Sequence, residues 1–213
     1  MEISNYLQIK KKLPLNVNLL AVSKGFSSQE IKIINNQGQN DFGESRFQEG
    51  IEKQLLLKDS TRNIKWHFIG RLQSNKIRKI VQNFEYIHSV DSYEKLLKIS
   101  NVSFEEKRNP IVMLQVKLSD DPNKGGFNPK VLLEKWDQIK EFKSIKIKGL
   151  MTINPKGLNS KENIKLFKKC RDLADSLKLQ DCSMGMSGDW EEAVEAGSTW
   201  LRLGSIIFGN RIY

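Results

Sequence analysis

"NLLAVSKGFSS", residues 18–28, holds an apolar run, a charged residue and a helix start in close succession. Leu19–Ser23 reads as a buried strand, because parallel strands covered on both faces are near-continuous apolar runs. Gly25 then breaks the strand, and Ser27 followed by Glu30 is the pattern of a helix N-terminal capping box. One strand, one short loop and one helix make a unit. Lys24 sits at the joint. A lysine at a strand exit is ordinarily a solvated side chain. The other reading is an amine held at the mouth of a site.

The same unit recurs along the chain. Strand segments are expected at Asn18–Ser23, Asp41–Gly43, Lys65–Gly70, Tyr86–Val90, Ile111–Lys117, Ile147–Ile153, Cys182–Met186 and Thr199–Gly204. Helical periodicity fills the intervals. Leu166, Cys170, Leu173, Ala174 and Leu177 line one such face, Leu132, Trp136 and Ile139 another, and Tyr93, Leu96 and Leu97 a third. Further capping boxes are expected at Asp91 with Glu94, Asn159 with Glu162, and Asp189 with Glu192. Strands alternating with helices through short loops call for right-handed parallel crossovers. Eight such units in 213 residues are what a (β/α)8 TIM barrel requires. A doubly wound open sheet is the alternative, but no G-x-G-x-x-G follows the first strand and no G-x-x-x-x-G-K-[ST] occurs. Without a long linker or low-complexity segment, residues 1–213 are expected to form a single α/β domain.

Composition narrows the function classes. Hydrophobic residues make up 38% and charged residues 28%, which suits a globular chain with a real core. No run approaches the ~20 apolar residues of a membrane span. The N-terminus lacks the order of a signal peptide, and Cys170 and Cys182 form no C-x-x-C pair. A cytoplasmic chain with unpaired thiols is expected. The net charge is +10. Its lysines, Lys32, Lys53, Lys95, Lys135, Lys140, Lys165 and Lys168 among them, are spread over nearly every expected helix as solvated surface. Without a basic block or a nucleic-acid fingerprint, a specific nucleic-acid partner is not expected. Two histidines, His67 and His88, both fall inside strands. With no cysteine or carboxylate cluster beside them, they read as satisfied interior histidines rather than metal ligands. Cys170 reads as a small buried hydrophobe.

Barrel chemistry sits at the C-terminal strand ends, and phosphate commonly binds the loops after strands 7 and 8. Ser187 and Gly188 lie just before the helix expected at Asp189, and Gly204 and Ser205 close strand 8. Each loop offers a glycine N–H and a hydroxyl, the donors phosphate needs. Arg202, two residues before Gly204, shares its inward face. It must have a partner there, because a buried unpaired guanidinium is costly. An amine at one strand end and a phosphate cradle across the mouth suggest pyridoxal 5′-phosphate, whose aldehyde condenses with lysine while its phosphate anchors the far end.

The sequence also resembles the pyridoxal phosphate homeostasis proteins, whose barrel is similar to the N-terminal domain of alanine racemase. The resemblance rests on "LLAVSK" (Leu19–Lys24), "FGES" (Phe42–Ser45), "QEG" (Gln48–Gly50), "WHFIGRLQSNK" (Trp66–Lys76), "VDS" (Val90–Ser92), "KGGF" (Lys124–Phe127), "GLMTI" (Gly149–Ile153), "SMGMSGD" (Ser183–Asp189) and "GSTWLRLGSIIFG" (Gly197–Gly209). It implies that Lys24 carries the cofactor as an internal aldimine. It implies that Ser187, Gly204 and Ser205 hold the phosphate, that Arg202 faces the pyridine nitrogen, and that Ser45 and Met184 belong to the cofactor site. Three positions depart from the family pattern. Ser45 replaces the usual Asn, Arg71 a frequent Pro, and Ser205 the usual Thr, with its hydroxyl kept.

A monomeric, non-catalytic pyridoxal phosphate-binding protein is expected, serving vitamin B6 homeostasis and amino and keto acid balance. Its expected partners are the cofactor itself and either pyridoxal phosphate-dependent apo-enzymes or a regulatory protein. An arginine at the ring nitrogen keeps that nitrogen unprotonated and weakens the ring as an electron sink. With the sequence ending at Tyr213, no second domain is expected over the mouth, and water is then expected to be poorly excluded. The alternative is a small racemase-like enzyme.

Overall fold

The computed structural model describes residues 3–61, 63–121 and 124–209. Helix α1 (Ile3–Lys12) precedes β1 (Asn18–Val22), followed by α2 (Ser28–Asn35), β2 (Asp41–Glu44), α3 (Phe47–Leu57) and β3 (Lys65–Phe68). A short 3-10 turn leads into α4 (Ile77–Asn83), then β4 (Tyr86–Val90), α5 (Tyr93–Glu105), β5 (Ile111–Gln115), α6 (Pro129–Ile139) and β6 (Lys146–Met151). Helix α7 (Ser160–Ser176), β7 (Asp181–Ser183), α8 (Trp190–Glu195), β8 (Trp200–Leu203) and α9 (Ser205–Phe208) complete the order. The strands close a parallel barrel in sequence order, β8 pairing back onto β1 with Leu20 opposite Arg202. The open-sheet alternative is thereby removed. Each strand lies within three residues of its expected place, the largest difference being β7, which ends at Ser183 rather than Met186.

Alternation along the strands separates two environments. Leu19 and Ala21 of β1 face outward, into a core shared with Phe42, Phe84, Ile99, Phe167 and Leu203. Leu20 faces inward, onto Met113, Met151 and Trp200. A closed parallel barrel is filled by such side-chain layers and is not a pore. Packed with these residues inside the barrel are His67, His88, Ser183 and Arg202, all buried.

Local signals hold in part. The boxes at Ser27 and Asn159 form with both reciprocal hydrogen bonds. The expected cap at Asp91 moves one residue, to Ser92, whose hydroxyl accepts from the Lys95 N–H. Asp91 instead pairs with the Lys95 ammonium at 2.7 Å. Asp189 makes no cap bond to its helix; its carboxylate accepts the Met186 N–H at 2.6 Å. On α5 the buried face runs through Leu96, Ile99 and Ser103, leaving Leu97 exposed. Cys170 is buried and free, as is Cys182. A hydrogen bond with Cys182, and then burial, push the Cys170 thiol well above its usual range.

Candidate active site at the C-terminal end of the barrel

Strand β1 lies between β8 and β2. Lys24 therefore leaves the barrel beside Gly204 and Ser205 on one flank and Ser45 on the other. Ser187 follows on the loop after β7. Four adjacent strand ends thus gather the expected residues in one sector. Ser23 faces outward, onto Glu44, and Lys24 follows in the turn after β1, half-buried. A cleft beside this sector, over the ends of β3 to β6, is lined by Ile69, Gly70, Ser89, Gln115 and Ile153.

The Lys24 turn is braced from outside the barrel. Ser23 Oγ donates to Glu44 Oε1 at 2.7 Å. Lys53 Nζ donates to the Ser23 carbonyl at 2.7 Å, to Glu44 Oε1 at 2.8 Å and to Glu49 Oε1 at 2.6 Å. Glu49 in turn accepts the Gly25 N–H. Both neighbours of Lys24 are therefore tied to one buried charge cluster. Lys53 is only 6% exposed, which corrects its expected place among the surface lysines. Its i,i+4 spacing from Glu49 was the available signal. Burial raises the Glu44 carboxyl, against the pull of Lys53. Hydrogen bonds from Lys53 and Gly25 outweigh burial at Glu49 and lower it.

Arg202 lies inside the barrel, 5% exposed. Its Nη1 donates to the Ser183 carbonyl at 2.6 Å and Ser183 Oγ at 2.8 Å, and its Nη2 donates to the Thr152 carbonyl at 2.8 Å. A guanidinium carries five N–H donors. These bonds use three, so among the described residues Nε–H and one Nη2–H remain. Burial lowers its pKa to about 10, so it stays cationic at neutral pH. Among the described residues it forms no ion pair. The partner required of a buried arginine is thus two carbonyls and a hydroxyl. His88 Nδ1 lies 3.0 Å from Ser183 Oγ, and its Nε2 lies 2.9 Å from His67 Nδ1. Both histidines are satisfied interior groups, as read from the sequence.

The loops after β7 and β8 supply donors. Gly204 accepts from the Ile207 and Phe208 N–H groups, so α9 begins there and its first N–H groups, at Ser205 and Ile206, have no intrahelical acceptor. Ser205 is exposed and Ser187 half-buried. Gly185 has φ +88°, and a Cβ there would press on Ala193 and Leu201. That left-handed turn carries the chain from β7 to Ser187. Met184 is fully buried in the outer core. Its N–H donates to the Trp200 carbonyl at 3.0 Å, and its own carbonyl accepts Ser198 Oγ at 2.9 Å. Its side chain thus packs behind the strand ends. Asn210–Tyr213, the segment expected to leave the mouth uncovered, lies outside the described residues. Sequence reading assigned no role to Asp41, Glu44, Glu49, Thr152 and Ser183; all but Asp41 fall within the motifs quoted above, but their partners come from distant parts of the chain.

A parallel barrel with a lysine at the end of β1 and glycine- and hydroxyl-bearing loops after β7 and β8 defines a class of proteins. The family model described as alanine racemase, N-terminal domain, matches residues 3–211. Alanine racemase of Clostridium difficile shares the fold, with a TM-score of 0.79 at 16% identity, covering 97% of this chain and 55% of that one. A pyridoxal phosphate homeostasis protein of Synechocystis sp. is 43% identical over 215 residues, covering 98% of both chains. PipY of Synechococcus elongatus, solved with pyridoxal phosphate bound, has a TM-score of 0.93 at 39% identity over 97% of this chain and 99% of its own. The chain belongs to the pyridoxal phosphate homeostasis proteins.

Proposed function

We propose that this chain binds pyridoxal 5′-phosphate across the C-terminal end of its barrel and acts in pyridoxal phosphate homeostasis as a cofactor-binding protein. One observation carries the reading. A single sector joins Lys24, an arginine with two N–H donors to spare, and two hydroxyl-bearing loops. That donor set suits a dianionic phosphate at one end and a ring-nitrogen acceptor at the other.

When bound, pyridoxal phosphate supplies an aldehyde that condenses reversibly with an amine. The residues divide the remaining work. Lys24 provides the amine, and the Glu44–Lys53–Glu49 cluster fixes the backbone on either side of it. Ser187, Gly204 and Ser205 donate to the phosphate, helped by the first N–H groups of α9. Ser45 adds a polar contact from β2, and Met184 packs beneath the phosphate loop. Arg202 would face the pyridine nitrogen, donate to it and keep a proton off it, which would leave the bound group a weak electron sink and disfavour turnover. The chain acts as one unit over residues 1–213, as a cytoplasmic monomer that passes cofactor to apo-enzymes or reports its level to a regulatory protein.

Mixing the cofactor-loaded protein with an apo-enzyme that needs pyridoxal phosphate tests this. Recovery of activity is expected. L- and D-amino acids in deuterated water should show no multiple-turnover α-proton exchange. Robust exchange that Lys24→Ala abolishes would replace the carrier with a racemase-like enzyme.

A further inference from the structure

The polar side chains inside the barrel form a line with a direction. Asp41 opens β2 at the N-terminal floor, and its Oδ1 lies 3.0 Å from His67 Nε2. His67 Nδ1 lies 2.9 Å from His88 Nε2, and His88 Nδ1 lies 3.0 Å from Ser183 Oγ. Ser183 Oγ accepts from Arg202 Nη1 at 2.8 Å. The line thus runs from the floor to the arginine just below the mouth. His67, His88 and Ser183 are fully buried, so water cannot replace a missing partner.

Donor counting assigns every proton. A carboxylate only accepts, so His67 carries its proton on Nε2. Burial pushes both imidazoles below the ordinary histidine range, His88 well below it. A neutral His67 then accepts at Nδ1, so His88 must carry its proton on Nε2. His88 Nδ1 accepts in turn, and the Ser183 hydroxyl must point at it. Ser183 Oγ is left to accept from Arg202. Each donor points toward Asp41, from cation to anion. Hydrogen bonds aligned in one sense polarise one another, most strongly in a low dielectric.

We propose that Asp41 is a second, remote counter-ion of Arg202, coupled to it through His67, His88 and Ser183, and that these four are positioning residues for the ligand Arg202 holds. The role rests on Arg202 facing the pyridoxal phosphate ring. A carboxylate in direct contact would occupy the donors the ring nitrogen needs. Asp189 is the nearer carboxylate whose charge acts on Arg202; Asp41, set behind two imidazoles, adds to it along the relay and likewise leaves those donors available. Ser183 ties down both protons of Nη1 through its hydroxyl and carbonyl, which fixes the plane of the guanidinium.

Two-bond ¹H–¹⁵N correlation spectra of the cofactor-free protein at pH 7 test the relay itself. Both imidazoles are expected neutral and protonated on Nε2. A proton on Nδ1 of either, whether as the other tautomer or as an imidazolium, overturns the assignment. Pyridoxal phosphate binding tests the coupling. Asp41→Leu is expected to weaken it about tenfold, with Asp41→Asn, which restores an acceptor for His67, falling between Leu and wild type. Inorganic phosphate, competing at the cradle, is expected to bind Asp41→Leu as it binds wild type. Ser183→Ala breaks the relay at the arginine end without touching the floor and serves if Asp41→Leu does not fold. Unchanged pyridoxal phosphate affinity in the folded variants overturns the coupling. Failure of the wild type to bind pyridoxal phosphate strikes the functional reading instead, and leaves the tautomer result to stand or fall alone.

Discussion

Lys53 Nζ lies 2.7 Å from the carbonyl oxygen of Ser23, the residue before Lys24. The same ammonium compensates Glu44, which is fully buried and has one carboxylate oxygen without a hydrogen-bond partner. Lys53→Met therefore strands a buried carboxylate. Breaking one side of such a pair costs about 3–5 kcal/mol. Urea unfolding should record that loss, and adding Glu44→Gln should recover part of it. A loss below about 1 kcal/mol for the single variant would mean the cluster does not brace the Lys24 turn.

The histidine pair sets a pH dependence. Burial depresses both imidazoles in the folded state, whereas in the unfolded chain they titrate near ~6.5. Below that value the unfolded state binds more protons, so stability falls as pH falls. With both groups contributing, the drop between pH 7.5 and 5.5 should reach about 2 kcal/mol. Glu44 and Asp189, whose carboxyls burial raises, act with the opposite sign and cannot produce it. Denaturant titrations at the two pH values decide the matter. Constant stability would place a proton on the pair already at neutral pH.

The phosphate loops predict a selective loss. Ser187→Ala and Ser205→Ala each remove a charge-assisted hydrogen bond worth roughly 1.5–3 kcal/mol. Pyridoxal phosphate should bind each variant about tenfold or more weakly, by equilibrium titration. Unphosphorylated pyridoxal should bind almost as before. Equal weakening of both ligands would move the phosphate elsewhere.

Gly70 carries a tight contact next to the site. A Cβ there would collide with the carbonyl of Ser45, a backbone atom that cannot rotate away. Gly70→Ala should cost about 3 kcal/mol, the upper end of overpacking, and should weaken pyridoxal phosphate binding by shifting Ser45. A variant with unchanged melting and binding would show that β2 and β3 part freely at this end.

The fold was largely legible because parallel strands leave dense apolar runs such as Leu19–Val22, and capping pairs such as Asn159 with Glu162 punctuate them. The sector around Lys24 was legible because its residues fall at strand ends, where barrels keep their chemistry. The supporting groups were not. Lys53 looks like any helix lysine until Glu44 and Ser23 are folded against it. Asp41 and Ser183 gain meaning only from barrel closure, which brings β2, β3, β4, β7 and β8 onto one interior line. Leu97 and Asp189 failed for a related reason: tertiary packing chose the neighbouring face and the neighbouring donor over the local pattern.

Covalent attachment at Lys24 is the central claim, and borohydride reduction tests it most directly. The protein should be loaded with pyridoxal phosphate, reduced, digested and mapped by mass spectrometry. The account predicts one dominant pyridoxyl adduct on Lys24, and in Lys24→Ala a folded barrel without it, since a half-buried strand-end lysine contributes little to the core. An adduct found mainly on Lys76 or Lys124 of the wild-type protein would contradict it.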